Sequence, residues 1–91
     1  MAKIHVVKQA YEADVLAAKV DDPRDADILV FLEPGGARAI GDARWFYTAK
    51  FQATTKLFWA GPEDAGALKV FFVEAESEAK WVKDHGLRGQ L

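Results

Sequence analysis

Two stretches of the sequence, IHVVKQAYEADVL (residues 4–16) and KVFFVEAESEAKW (residues 69–81), follow one pattern near opposite ends of the chain. Each begins with an apolar run and continues through polar residues to an alanine. Units of similar length lie between them, and six alanines mark the register: Ala13, Ala26, Ala39, Ala53, Ala65 and Ala79. A fixed period of this kind is the signature of a repeat architecture. The sequence therefore predicts six tandem units of about thirteen residues.

Each unit is predicted to hold one strand and a short helix. Five-residue runs rich in Val, Phe, Trp and Tyr are typical of strands. Such runs precede each alanine by nine or ten residues: Lys3–Val7, Leu16–Val20, Leu29–Glu33, Arg44–Thr48, Lys56–Ala60 and Lys69–Val73. Pro23 and Pro62 stand where a first helical turn would begin, behind the acceptable N-caps Asp22 and Gly61. We expect one to one and a half helical turns after each strand.

The third unit departs from the pattern. Pro34-Gly35-Gly36 replaces the polar turn, and residues 40–43 are additional. We therefore expect one domain over residues 1–83, divided into halves 3–40 and 44–82. Residues 84–91 lack periodicity and are expected to form a flexible tail.

Three units resemble a known family: IHVVKQAYEADVL, KVDDPRDADIL (residues 19–29) and KVFFVEAESEAKW. They are similar to a bacterial family of unknown function made of tandem repeats of the type strand-(D)-S-x-x-E-A-D-strand. The resemblance covers about residues 3–82 and departs from the family pattern in unit three and at Lys80 before Trp81. It implies a fold of short repeats and implies no activity.

The expected fold class is α/β, a small layered sheet of strand-plus-short-helix repeats. Strand residues alternate between two faces, and both faces of these runs are apolar. The face with Phe31, Phe46, Phe58 and Phe71 is expected to be covered by the helices, whose alanines allow close packing. Eight residues are few for a parallel crossover, although repeating coils can be tighter. The alternative is an antiparallel six-stranded meander or barrel with helical turns.

The second face is the candidate interaction surface. It carries Leu32, Trp45, Tyr47, Trp59, Val70 and Phe72, with Lys19 at its rim. Large apolar patches are rare on monomers, and Trp and Tyr are enriched in interface cores. We expect a homo-oligomer, most simply a twofold dimer, and a further protein partner is conceivable. Alternatively, the sheet curls on itself and hides this face.

Composition and spacing exclude several functions. A net charge of −2 offers no field for nucleic acid or anionic lipid, and no apolar run approaches the roughly 18 residues of a membrane span. With no cysteine, and with no apolar run between Met1 and Val7 long enough for a signal peptide, a cytoplasmic protein is expected. Acidic residues recur with the repeat, which indicates caps and solvated turns. His5 and His85 lack any metal-ligand spacing, so no catalytic residue, metal or cofactor is predicted.

Two functions remain. The first is a non-catalytic, self-associating interaction module, favoured by the aromatic face. The second is a small-molecule or nucleotide-phosphate binding protein or enzyme that uses the Gly35-Gly36 loop and the neighbouring Arg38. That loop matches neither the Walker pattern nor the Rossmann fingerprint.

Overall fold

The computed structural model describes residues 2–39, 41–61 and 63–91, without the side chain of Arg38. These residues contain seven strands: β1 (Ala2–Val6), β2 (Val15–Lys19), β3 (Ile28–Leu32), β4 (Arg44–Tyr47), β5 (Thr55–Trp59), β6 (Leu68–Phe72) and β7 (Lys80–Trp81). They also contain five single 3-10 turns: Ala10–Glu12, Pro23–Asp25, Gly36–Arg38, Lys50–Gln52 and Glu76–Glu78. The first six strands begin and end within one residue of the predicted runs. Pro62, expected to start a helical turn, lies outside the described residues.

The first six strands form a closed parallel barrel in the order β4-β1-β5-β2-β6-β3, and β3 pairs with β4 to complete the circle. The short strand β7 pairs antiparallel with the start of β3. The expected α/β layered fold is therefore wrong. The antiparallel alternative is wrong in strand direction, since all six barrel strands run parallel.

The length of the connections explains why no α-helix forms. Residues 7–14 link β1 to β2, and residues 20–27 link β2 to β3. Each link must return along a strand of about 13 Å and pass one intervening strand, about 10 Å sideways. Eight residues in an α-helix would rise only about 12 Å. The links therefore run extended, with one 3-10 turn each.

The chain circles the barrel twice. β1 lies between β4 and β5, β2 between β5 and β6, and β3 between β6 and β4, so the second circuit fills the gaps of the first. The link from β3 to β4 joins adjacent strands, unlike the others, and contains Gly41 at a φ of 75°, a conformation that favours glycine. The unit that departs from the repeat is thus where the first circuit ends. Ile40, among its additional residues, lies outside the described residues.

The barrel interior holds the face that was expected to need a partner. Its fully buried side chains include Trp45, Ile4, Ile28, Leu57, Leu68, Val30, Val70 and Thr55. A barrel of so few strands leaves room only for side chains, which must alternate in size. Small residues accordingly stand beside the indoles, with Ala2 paired to Trp45 and Ala17 paired to Trp59.

The phenylalanine face is the outer one, and Phe31, Phe46, Phe58 and Phe71 are half-buried there. The 3-10 turns end directly before the marked alanines, whose backbone N–H groups donate to the first residue of the turn. Ala26 and Ala39 are fully buried, whereas Ala65 is exposed. Extended links, five of them with a single 3-10 turn, therefore lie on the barrel where one to one and a half helical turns in a separate layer were expected.

Polar residues before the strands join the two circuits. The Asp14 N–H donates to the Lys56 carbonyl, and an Asp14 carboxylate oxygen accepts from the Lys56 N–H at 2.9 Å. Asp27 makes the same pair of bonds with Lys69. These two carboxylates therefore bridge strands, whereas Asp22 caps a 3-10 turn by accepting from the Arg24 N–H at 2.9 Å.

Residues 84–91 fold over the amino end of the barrel. Leu91 is 4% exposed, and Leu87 packs against the core beside it. The Asp42 carboxylate accepts from Trp81 Nε1 at 2.9 Å, from the Leu91 N–H at 3.1 Å and from the Gly89 N–H. This end of the barrel is consequently closed by the segment that was expected to be a flexible tail, and its flexibility stays a prediction.

Candidate functional site

The carboxyl ends of the six strands surround an open mouth. In a parallel barrel these ends lie together, and this is the end where binding residues gather in the larger parallel barrels. Each strand contributes the last inward-facing residue of its run: Val6, Lys19, Leu32, Tyr47, Trp59 and Phe72. All six are exposed or half-buried, while the inward-facing residues below them are buried. We refer to these six side chains as the mouth.

A cavity of about 400 Å³ occupies one side of the mouth and is lined by Lys19, Tyr47, Trp59, Ala60 and Phe72. Its volume falls within the range of small-molecule sites, roughly 300–1,000 Å³. The rings of Trp59 and Phe72 lie with centroids 5.8 Å apart. Both contact buried Trp45, at 6.3 Å and 6.1 Å between centroids, which gives them a rigid aromatic support.

The cavity lining contains one charged side chain, Lys19. The Lys19 ammonium lies 5.7 Å from the centroid of the Phe72 ring, and it makes no hydrogen bond or ion pair with any residue that the structure describes. Burial raises the pKa of the Tyr47 hydroxyl above its ordinary value of 10.0, so this group remains a neutral O–H donor near pH 7. Trp59 adds an indole N–H, a donor only. The cavity lining therefore contains a cation and donors but no carboxylate.

The structure separates the six predicted interface residues by depth. Trp45 and Val70 are fully buried inside the barrel, where no partner reaches them. Leu32 and Tyr47 are 41% and 42% exposed at the mouth, and Trp59 and Phe72 are half-buried there. Closure of the sheet covers most of the face, and an interface through the remaining four stays a prediction.

Sequence reasoning placed Lys19 at a rim but did not make it a site residue. The signal was present, because Lys19 is the single charged residue at the fourth position of the six runs. Asp42 was missed altogether, since it lies outside the repeat, among the additional residues 40–43 of unit three.

The Gly35-Gly36 loop starts just beyond the carboxyl end of β3 and turns down the outer face. A Cβ on Gly36 would lie 3.2 Å from the Phe46 ring, so this glycine permits close packing of the loop on the barrel. Glu33, which precedes the loop, is 5% exposed. The side chain of Arg38 lies outside the described residues. Phosphate binding by this loop stays untested.

The two histidines lie apart from the mouth cavity. His5 Nδ1 is 2.9 Å from the Thr48 carbonyl oxygen, which fits the tautomer that donates from Nδ1. His85 stacks on Trp81 with centroids 5.8 Å apart and accepts the Leu87 N–H through Nδ1. Within residues 2–39, 41–61 and 63–91, no three histidine or acidic side chains gather as a metal-binding group. The expected absence of metal and cofactor stays a prediction.

The interleaved path of two circuits defines a class of small parallel barrels in which every outer link, except the one from β3 to β4, crosses a strand of the other circuit. Residues 1–82 match the family described as the 7(1) septoil knot domain, and the chain belongs to that family. This is a family of small repeat-like domains, and the match does not extend to the S-x-x-E-A-D repeat. No curated protein and no solved structure matches the chain. Among the described residues, no helix has the length and apolar character to cross a membrane.

Proposed function

We propose that this domain is a non-catalytic binding module and that the mouth is its binding site. The observation that carries the proposal is the asymmetry of the barrel. One end is closed by Leu87 and Leu91, whereas the other holds an open aromatic cavity of about 400 Å³. Aromatic walls with a few convergent polar groups are typical of ligand sites.

Binding at the mouth can be driven by the burial of apolar surface and requires no catalytic residue. An apolar group that enters the cavity removes water from Tyr47, Trp59 and Phe72, and each Å² of apolar area so buried contributes about 25 cal/mol. Buried Trp45 supports two of these rings, so little side-chain ordering opposes binding.

The three tryptophan indole N–H signals of the labelled protein test this proposal by NMR. Naphthalene-1-carboxamide, naphthalene-1-carboxylate and 1-naphthylmethylammonium would be titrated separately. At least one should shift the Trp59 signal saturably and leave the Trp81 signal in place, because the Trp81 N–H donates to Asp42 at the closed end. The proposal is wrong if none of the three compounds moves Trp59, or if Trp81 moves as far.

Self-association through the mouth is the second candidate. Its support is the clustering of exposed apolar side chains at this end, where Val6, Leu32 and Tyr47 are 41%, 41% and 42% exposed. A twofold contact would cover the same patch on both copies.

Light scattering tests this second candidate. The wild type should have the mass of a dimer, and Trp59→Glu should be a folded monomer. Tyr11→Glu is the matched control, because Tyr11 is 86% exposed on a 3-10 turn away from the mouth, and it should remain dimeric. A monomeric wild type, or a dimeric Trp59→Glu protein, would remove the mouth from any self-contact.

We also propose kinship with the S-x-x-E-A-D repeat. Its support is that Asp14 and Asp27, the final aspartates of that motif in units one and two, make the same pair of bonds. Alanine at either position should lower the free energy of unfolding by similar amounts. Clearly unequal losses would contradict equivalent roles for the two units.

A cytoplasmic location is a further proposal, and it rests on composition. The 91 residues include no cysteine, so the fold needs no disulfide and suits a reducing compartment. Fractionation of cells that express the tagged protein would test it, and recovery outside the cytoplasm would overturn it.

A further inference from the structure

We infer that the mouth selects a small planar aromatic carboxylate, with Trp59 and Phe72 contacting the ring and Lys19 holding the carboxylate. This inference rests on the proposed function and adds the ligand's charge and shape to it. The ligand is a free small molecule of the size of the cavity.

The sign of the charge follows from the cavity lining. Lys19 is the charged member of that lining; beside it, the Tyr47 hydroxyl can donate or accept, and the Trp59 indole N–H can only donate. An ammonium and two groups able to donate favour an acceptor on the ligand, and a carboxylate accepts from several donors at once. A cationic ligand would meet Lys19 with like charge.

The acidic residues that follow the strands lie outside the cavity lining. Glu74, just beyond β6, lines a second cavity together with Glu78; this cavity shares Phe72 with the mouth cavity but does not include Lys19. Asp22, beyond β2, is bound to the Arg24 guanidinium at 2.8 Å, and that bond lowers the pKa of the Asp22 carboxyl. Within the lining of the mouth cavity, Lys19 is therefore the charged side chain that a bound anion would contact.

The planar shape follows from the rings. Trp59 and Phe72 are inclined at 62° to one another, so an entering ring can meet one by its face and the other by its edge. Both arrangements attract aromatic rings beyond the effect of buried area alone. The Lys19 ammonium lies 5.7 Å from the centroid of the Phe72 ring. A ligand whose aromatic ring contacts Phe72 can therefore place a carboxylate bonded directly to that ring beside Lys19.

Affinities of naphthalene-1-carboxylate and the isosteric naphthalene-1-carboxamide test the inference, measured from the Trp59 indole shift. The wild type should bind the carboxylate about two- to fivefold more tightly, as an exposed ion pair allows, and added salt should reduce this preference. Lys19→Met keeps an apolar stem of similar length and should bind both compounds equally. Lys19→Arg should retain the preference, and so should the control Lys50→Met, whose lysine lies on an exposed 3-10 turn.

The outcomes separate this inference from the function on which it rests. Equal binding of the two compounds by the wild type, or an undiminished preference in Lys19→Met, would overturn the inference and leave binding at the mouth intact. If the wild type bound 1-naphthylmethylammonium more tightly than naphthalene-1-carboxylate, the inference would likewise be overturned and binding at the mouth would remain intact. Failure of all three compounds to bind would overturn both.

Discussion

Replacing Asp42 with alanine should destabilise the protein strongly, because one carboxylate holds three donors at the closed end of the barrel. Two of these, Trp81 Nε1 at 2.9 Å and the Leu91 N–H at 3.1 Å, are partly buried, whereas the Gly89 N–H is exposed and can turn to water. A hydrogen bond to a charged group contributes about 1.5–3 kcal/mol. The two partly buried bonds at the lower value give about 3 kcal/mol, a large part of the roughly 5–14 kcal/mol expected for 91 residues.

Urea unfolding followed by tryptophan fluorescence measures this loss, with the curves approached from both the folded and the unfolded protein. Asp42→Asn should fall between wild type and alanine, since its amide oxygen accepts without charge. Asp25→Ala is the control, because Asp25 lies exposed on a 3-10 turn, and it should stay within about 0.5 kcal/mol of the wild type. The reasoning is refuted if Asp42→Ala is equally benign, or if the Trp81 indole signal does not move in it.

Two further predictions concern packing and titration. Ala26→Leu should overpack a fully buried site and lower the free energy of unfolding by about 1–3 kcal/mol, whereas Ala65→Leu, at an exposed position, should change it little; equal unfolding midpoints would contradict this. In Tyr11→Phe protein, Tyr47 is the remaining tyrosine, and its absorbance titration should have a midpoint above 10.0, because burial raises its pKa. Since the folded state holds this proton more tightly, Tyr47 should contribute its full stability below pH 10 and lose it as pH rises through the folded pKa, and a midpoint at or below 10.0 would contradict the burial.

Strand positions could be predicted from the sequence because they depend on local patterns. The five-residue apolar runs and the phase of the alanines located each of the six barrel strands within a residue, whereas β7 was not predicted. The same patterns are compatible with parallel and antiparallel sheets and with open and closed sheets, because they describe the residues of one strand and not its neighbours. The interleaving of the two circuits depends on how all six strands pair to close the barrel, and it cannot be predicted from any single unit. The length of a link excludes an α-helix only when it is compared with two distances, the length of a strand and the width of the strand that the link crosses. The second distance requires the strand order.

The candidate site was half predictable for the same reason. Aligning the six runs brought Tyr47, Trp59 and Phe72 into one column, and the structure places them together at the mouth. The column below, which includes Trp45 and Val70, carried the same apolar character, so pattern alone could not tell interior from interface. How deeply a side chain lies inside the barrel depends on the closure of the sheet and on the register of the strands, and neither is visible in one run.

The interleaved strand order has a consequence for synthesis on the ribosome. Every barrel strand of the first circuit has strands of the second circuit on both sides, so the nascent segment 2–39 has no native sheet partner when it emerges. At about 5–20 residues per second, the remaining strands up to Phe72 follow over roughly 2–7 seconds. Throughout that interval, Phe31, Ile28 and Val30 are available to chaperones or to neighbouring nascent chains. Translation speed across residues 41–72 should therefore govern how much of the newly made protein escapes aggregation.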